Sequence, residues 1–198
     1  IIESEKKAND AFKLMDESID VFRENLLYRF LYSKYNDVDH LHNTIRNLKL
    51  YDHNLFITAS LEIGETAYFY KIIESIKGYR SVSFNQYIII DTDQKNICVF
   101  TSKSQNIDED TQKVYNFLRT FISDASEQYN TNITAGVSMP CKTLVELPKT
   151  LLQADAALEE FMCLSLNGVC IYENKMYIQP SYKILELKDS LASLLDDC

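Results

Sequence analysis

The first stretch of the chain, from Ile1 to about Lys34, carries a regular pattern of apolar side chains and contains no Gly or Pro. The apolar residues recur at spacings of 4, 3, 4, 3 and 4, and the positions between them are largely Glu, Lys, Asp, Asn and Ser. This heptad period predicts one long helix with an apolar seam. The seam consists of Ala8, Phe12, Met15, Ile19, Phe22 and Leu26.

Two interpretations of this seam stay open at the level of sequence. The seam either joins two copies of the chain in a parallel coiled coil, or packs the helix on its own domain. For a coiled coil, the dimer seam would be formed by Phe12, Met15, Ile19, Phe22 and Leu26. Leu27, Phe30 and Leu31 broaden the apolar stripe after Leu26, which predicts that the later part of the helix docks on the globular body.

The rest of the chain alternates between the periods of helices and strands. Helices are predicted over residues 37–48, 65–77, 108–129, 143–166 and 183–196. Strands are predicted over residues 54–63, 81–90, 96–101, 133–139 and 169–172. We expect Gly78 to cap the end of the second of these helices, and Pro148 to lie in a first helical turn.

From residue 54 the predicted order contains a βαββαβ core, which is typical of an α+β fold. We therefore predict a palm or ferredoxin-like sheet with an antiparallel core, preceded by the long N-terminal helix, with helices packed on one face. In the strand that starts near Ile133, Thr134, Gly136 and Ser138 share one side. Their small side chains predict that another element approaches closely there.

Composition and charge exclude some classes of function. The formal net charge is −9, and no cluster of Lys and Arg occurs, so this segment is not expected to hold DNA or RNA by itself. The five cysteines are odd in number and form no C-x-x-C motif, which favours a reducing, cytoplasmic setting. No apolar run approaches the roughly 18 residues that a membrane span needs. The chain starts within a helix and without Met, so we expect a piece of a longer polypeptide.

Several short patterns, in a fixed order over about residues 23–175, resemble those of a known bacterial family. They are Glu24–Leu31, Leu48–Leu50, Phe56–Ile63, Gly136 with Ser138, Ala154 with Ala157 and Leu158, and Gly168 with Tyr172. Together they resemble the degenerate GGDEF-like domain of AraC-type transcription regulators, especially the YesN-like response regulators. The resemblance implies a coiled-coil signalling helix over residues 1–35, a GGDEF-like palm domain over residues 36–178 and a linker helix over residues 179–198.

A GGDEF domain that works as a cyclase holds two Mg²⁺ ions on two acidic positions and uses a hairpin Gly-Gly to approach the nucleotide. By this resemblance Glu62 stands about where the first acid lies, but Gly64 follows where a second acid is common. The hairpin offers Asp91 and Asp93 without the Gly-Gly or the Glu-Phe. The Arg-x-x-Asp pair of the family's inhibitory cyclic-di-GMP site is also missing, since Ser83 follows Arg80 by three residues.

Glu62, Asp91 and Asp93 are therefore expected to form at most a vestigial nucleotide or metal site, with no catalytic residue, metal or cofactor. Among the histidines, His40 and His42 lie two residues apart on a predicted helix, so they point away from each other and cannot easily bind one metal ion. A stripe of tyrosines on the first helix covers either its own core or a partner. It consists of Tyr28, Tyr32 and Tyr35.

The function implied by the resemblance is a non-catalytic regulatory and dimerisation domain of an AraC-type transcription regulator of a two-component system. It would relay a signal from an upstream receiver or sensor module to a downstream DNA-binding domain. We expect a cytoplasmic homodimer that contacts DNA only through a domain outside this chain and that makes no membrane contact. The alternatives are a nucleotide-binding sensory domain and a divergent nucleotide cyclase.

Overall fold

The computed structural model describes residues 18–34, 48, 50, 52–64, 66–90, 96–163 and 168–173. Residues 18–31 are helical and are named α1. The other helices are α2 (Phe69–Gly78), α3 (Ile107–Tyr129) and α4 (Leu147–Cys163), with a 3₁₀ turn at Leu144–Glu146. The strands are β1 (Leu55–Ile63), β2 (Asn85–Ile90), β3 (Asn96–Ser102), β4 (Ile133–Val137) and β5 (Gly168–Ile171). The helices predicted over residues 37–48 and 183–196 lie outside the described residues, apart from Leu48, and the domain boundaries stay predictions.

The five strands form one sheet in the order β2-β3-β1-β4-β5. β1 lies in the middle and pairs antiparallel with both β3 and β4, and β2 pairs antiparallel with β3. Only β5, which follows α4, pairs parallel to its neighbour β4. This topology confirms the predicted α+β fold class, a palm or ferredoxin-like sheet with an antiparallel core.

Helices cover both faces of the sheet, so the expectation of helices on one face is wrong. The first face packs against α2 and α3, through residues such as Ile57 and Phe100. The second face packs against α1, the 3₁₀ turn and the start of α4, through residues such as Phe56 and Val99. The physical reason lies in the central strands, because every residue of β3 and the first seven of β1 are buried on both sides.

The backbones of β4 and α4 touch at Gly136, which confirms that its side of β4 admits another element. A Cβ atom on Gly136 would overlap the carbonyl oxygen of Ala154 and the backbone nitrogen of Leu158. Beside this contact, the buried hydroxyls of Thr58 on β1 and Thr150 on α4 lie 2.6 Å apart. Since Thr150 Oγ1 already donates to the Leu147 carbonyl, at 2.8 Å, Thr58 is the donor of that pair. Small residues and hydroxyls therefore hold α4 on the second face.

The end of α2 differs from the prediction for Gly78. Gly78 is the last helical residue, and the cap is Tyr79, which is extended, with φ −63 and ψ 136. The carbonyls at this end accept hydrogen bonds from side chains instead, from Gln86 Nε2 to Ile76 (3.0 Å) and from Arg80 Nη1 to Lys77 (2.8 Å). A left-handed glycine cap is not needed because these side chains satisfy the carbonyls. The expectation for Pro148 is confirmed, since it lies in the first turn of α4.

Candidate functional site

The best-defined candidate for a functional surface is the place where α1 joins the domain. Four apolar residues on its second half are each at most 4% exposed: Leu26, Leu27, Phe30 and Leu31. They pack in the cluster on the second face of the sheet, which contains residues of β1, β2 and β3. We call these four residues the α1 anchor. Burying four large apolar side chains stabilises this docking by several kcal/mol, at roughly 1.5–3 kcal/mol each.

The described residues of the predicted dimer seam differ in their exposure on either side of the start of the anchor. Leu26 is 4% exposed and packs into its own domain, whereas Phe22, one turn earlier, is 65% exposed. Val21 beside it is 60% exposed, and Ile19 is partly buried. Phe12 and Met15 lie outside the described residues. Leu26 thus packs within its own domain. For the residues before Leu26, the dimer seam stays a prediction.

Tyr28 and Tyr32 belong with the anchor rather than with an open surface. Both are partly buried and pack against the second-face cluster, with their ring centroids 5.0 Å apart. Lys34 Nζ lies 4.8 Å from the centre of the Tyr28 ring and donates a hydrogen bond of 2.8 Å to its hydroxyl. These two tyrosines therefore cover their own core, and Tyr35 lies outside the described residues.

Polar contacts fix the direction of α1 just before the anchor. Arg23 Nη1 contacts Asp20 Oδ1 at 2.9 Å, and Arg23 Nε donates to the Leu48 carbonyl at 3.1 Å. Glu24 lies 3.5 Å from Lys77 at the end of α2. Burial raises the pKa of the Glu24 carboxyl, and the nearby Lys77 charge opposes this.

The residues of the predicted vestigial site are only partly described. Glu62 is exposed near the end of β1, opposite Thr134 of β4, whereas Asp91 and Asp93 lie outside the described residues. The next residue inward, Leu61, pairs with Asn96 at the start of β3. Asn96 is 5% exposed, and its Oδ1 atom has no hydrogen-bond partner among the residues that the structure describes.

The carboxylates of the described residues do not form a metal centre near the end of β1. Asp155 on α4 accepts a hydrogen bond of 2.6 Å from Ser60, which lies on the same side of β1 as Glu62. Within the described part of the chain, no group of three His, Cys, Asp or Glu side chains is placed to hold a metal ion. Over the same residues, no helix is both long and apolar enough to cross a membrane.

Sequence reasoning missed three clefts that surround the loop of residues 79–85. Their volumes are about 580, 540 and 310 Å³, and Ser81 and Phe84 line all three. The largest is polar and includes His53 and Lys103; the second is aromatic and includes Phe117 of α3. The smallest lies between this loop and α1. Clefts between elements distant in sequence leave no periodic signal, and only the polar loop between α2 and β2 could have suggested them.

His53 lies at the wall of the largest cleft. Burial is the largest cause that lowers its pKa from 6.5 to about 4, followed by the positive charges of Lys103 and Arg23. Its Nδ1 atom is buried and has no hydrogen-bond partner within the described part of the chain. The neighbouring charge of Lys103 is paired with Asp52 at 2.7 Å. His53 is therefore a neutral ring at physiological pH.

Comparisons with known proteins include a structural likeness. No family model matches the chain, and no curated protein matches it. Among solved structures it is similar to the active GGEEF domain of a diguanylate cyclase from Vibrio cholerae, with 12% sequence identity and a TM-score of 0.47. The likeness covers 76% of this chain and 96% of that domain.

Proposed function

We propose that this chain is a non-catalytic regulatory and dimerisation domain of a bacterial AraC-type transcription regulator. In this proposal α1 relays a signal from an upstream receiver or sensor module, and a DNA-binding domain outside this chain reads the result. The observation that supports it is the division of α1 into two parts. The anchor is buried in the sheet's second face, while Val21 and Phe22, one turn earlier, are 60% and 65% exposed.

This division suits the relay of a mechanical signal. The anchor connects α1 to the same face of the sheet that holds α4, so a rotation of α1 reaches the whole sheet. The exposed turn before it offers an apolar surface to the matching turn of a second copy. A signal that changed the pairing of two such turns would reposition both domains, provided that two arrangements lie close in free energy.

The proposed lack of catalysis is supported by the residues that a cyclase would need. The hairpin contains neither Gly-Gly nor Glu-Phe around Asp91 and Asp93, and Gly64 replaces a common acidic position after Glu62. Two-metal chemistry needs carboxylates on both sides of the reacting phosphate. Incubation with GTP or ATP and Mg²⁺ or Mn²⁺ should give no cyclic product, and formation of a cyclic nucleotide would contradict this part of the proposal.

The dimer is tested by placing a charge on the exposed turn. Phe22→Glu should weaken self-association by tenfold or more in sedimentation velocity, because a buried unpaired carboxylate costs more than about 1.4 kcal/mol. Asn25→Glu adds the same charge at another exposed position of α1 and is the matched control. A wild-type chain that stays monomeric at high concentration, or equal weakening by both substitutions, would remove the seam from this proposal.

A nucleotide-binding sensory domain is the second candidate function. It is favoured by the Oδ1 atom of Asn96, for which the described residues offer no hydrogen-bond partner; Asn96 is 5% exposed and lies at the start of β3 beside the end of β1. A buried amide oxygen without a partner is costly, and an amino group of a ligand would satisfy it. GTP or cyclic di-GMP at millimolar concentration should then raise the melting temperature, with a smaller shift in Asn96→Ala. An equal melting temperature with and without nucleotide would exclude this function.

A further inference from the structure

The outer side of α4 carries a row of exposed residues along most of the helix. Leu147 and Leu151 face the sheet and are at most 6% exposed, whereas Leu152, one residue further on, is 71% exposed. Exposed residues recur before and after Leu152 at spacings of three and four, which places them on one side of the helix. We call this row the outer stripe, and it consists of Lys149, Leu152, Ala156 and Glu159.

The charges of the outer stripe oppose the helix dipole. Lys149 lies near the start of α4 and Glu159 lies near its end, with the apolar side chains of Leu152 and Ala156 between them. A helix is stabilised by acidic residues in its first turn and basic residues in its last turn, and α4 has neither. The arrangement therefore does not serve the helix itself. A partner that brings an acidic group to the start of α4 and a basic group to its end would compensate for it.

The C-terminal segment over residues 183–196 has a pattern that complements the outer stripe. It lies outside the described residues, and its sequence predicts an amphipathic helix with apolar residues at spacings of 3, 4 and 3. Lys183 and Lys188 come early in this segment, whereas Asp196 and Asp197 follow its last apolar residue. Only an antiparallel orientation brings these charges opposite those of α4. The apolar row consists of Ile184, Leu187, Leu191 and Leu194.

The chain between β5 and this segment is long enough for the antiparallel orientation. β4 and β5 are parallel, so α4 runs back between them, and β5 ends at the end of the sheet where α4 begins. A hydrogen bond of 2.7 Å from the Tyr172 amide to the Val137 carbonyl holds the chain there. An extended chain from Glu173 to Lys183 spans about 33 Å, whereas the 17 residues of α4 span about 25 Å. The segment can therefore begin beside the far end of α4 and return along it.

We propose that residues 183–196 dock as a helix on the outer stripe, antiparallel to α4. In this orientation Lys183 lies near Glu159, and the acidic end of the segment lies near the start of α4. The two apolar rows meet between these charged ends, with Leu191 against Leu152. A linker of about ten residues gives an effective concentration in the millimolar range, so a contact between two short helices is enough to hold the segment.

The docked segment would connect α1 to the chain that leaves the domain. The α1 anchor and the start of α4 pack in the same cluster on the second face of the sheet. A movement of α1 would thus reach α4 and the segment on its outer side without passing through the first face. This relay to the C-terminal end rests on the proposed function, whereas the docking does not.

Hydrogen exchange of the whole chain, measured by mass spectrometry, tests the docking. An isolated helix of this length is marginal in water, so slow exchange there requires a partner surface. Amides of residues 184–195 should exchange roughly tenfold or more slowly than in the free peptide of the same sequence. Leu152→Glu should remove this protection, because its carboxylate would face the apolar row. Val82→Glu makes the same kind of change at a fully exposed position between α2 and β2, and it should leave the protection unchanged.

Three results separate this docking from other occupants of the outer stripe and from the proposed dimer. Absence of protection, or equal protection in Leu152→Glu, would overturn the docking. Protection that increases with protein concentration would assign the outer stripe to a second copy of the chain and would also overturn it. Phe22→Glu, which should weaken the proposed dimer, should leave the protection in place. A chain that never self-associates but keeps the protection would overturn the dimer alone.

Reversing one charge on each helix tests the antiparallel orientation. Lys183→Glu should reduce the protection about threefold, because it replaces an attraction to Glu159 with a repulsion at an exposed site. Adding Glu159→Lys to the same chain should restore the protection, since the pair is then opposite in charge again. A doubly substituted chain that is no better protected than Lys183→Glu alone would overturn the antiparallel orientation.

Discussion

At the scale of single residues, His53 couples the stability of the fold to pH. Its pKa is lowered from 6.5 to about 4 because the partly buried ring is poorly solvated and faces Lys103 and Arg23. The unfolded chain therefore binds a proton that the folded chain does not bind between these two values. The resulting stability is fully present above pH 6.5, falls as the pH decreases, and is lost below about 4.

This pH dependence is measured by chemical denaturation at pH about 7.5 and about 5. The full shift in the pKa of His53 corresponds to about 3 kcal/mol of unfolding free energy. Solvent screening of the partly exposed ring reduces this contribution to roughly 1 kcal/mol. The loss of unfolding free energy on acidification should thus be about 1 kcal/mol smaller in His53→Gln, which cannot be protonated, than in the wild-type chain. The same loss in both proteins would show that His53 is as well solvated in the folded state as in the unfolded chain.

At the scale of elements, the contact between β4 and α4 depends on the missing side chain of Gly136. A Cβ atom there would overlap backbone atoms of α4 and would lie 2.7 Å from the Cα atom of Leu158. Backbone cannot rotate away as a side chain can, so Gly136→Ala should push α4 off the second face. We expect a loss of about 3 kcal/mol or more in the free energy of unfolding, measured with urea.

The matched control for this substitution is Gly78→Ala. A Cβ atom on Gly78 would meet no atom of the described residues within 4 Å, and Gly78 is a helical residue whose φ is not positive. Alanine should therefore stabilise α2 by about 0.5–1 kcal/mol through the entropy of the unfolded chain. Equal effects at both positions would mean that α4 does not lie against β4 as described.

At the scale of the whole molecule, charge and apolar surface oppose each other in the proposed dimer. Two copies with a formal net charge of −9 each repel one another, whereas Val21 and Phe22 favour contact. Salt screens the repulsion and leaves apolar burial in place, so self-association should tighten when NaCl rises from about 0.05 to about 0.5 M. Sedimentation equilibrium at the two salt concentrations measures this. Weaker association in high salt would indicate a dimer that depends on ion pairs instead of the apolar turn.

Most of the elements could be predicted because their signals are local. The strand over residues 54–63 and the helix over residues 108–129 are found as Leu55–Ile63 and Ile107–Tyr129, since long apolar periods bounded by polar residues identify them. The fold class followed from the order of these elements. The small side chains on one side of β4 also predicted that another element approaches closely there. They did not predict that this element is α4.

The candidate site was much less predictable. Leu26 and Phe22 are consecutive residues of one heptad seam, yet one is 4% and the other 65% exposed. Their difference arises because Leu26 packs in the second-face cluster and Phe22 does not, which no period along the helix records. In the same way, Arg23 and Arg80 are ordinary charged residues in sequence, and they line one cleft only because α1 passes the loop after α2.

The sequence by itself determined the helices, the strands and the antiparallel core, because backbone hydrogen bonding and the two periods of apolar side chains act over a few residues. Only the tertiary structure decided that both faces of the sheet are covered, where α1 leaves the domain, and which polar groups meet in the clefts. These features depend on contacts between segments far apart in the chain. Each segment permits several partners, and the packing of the whole molecule selects one.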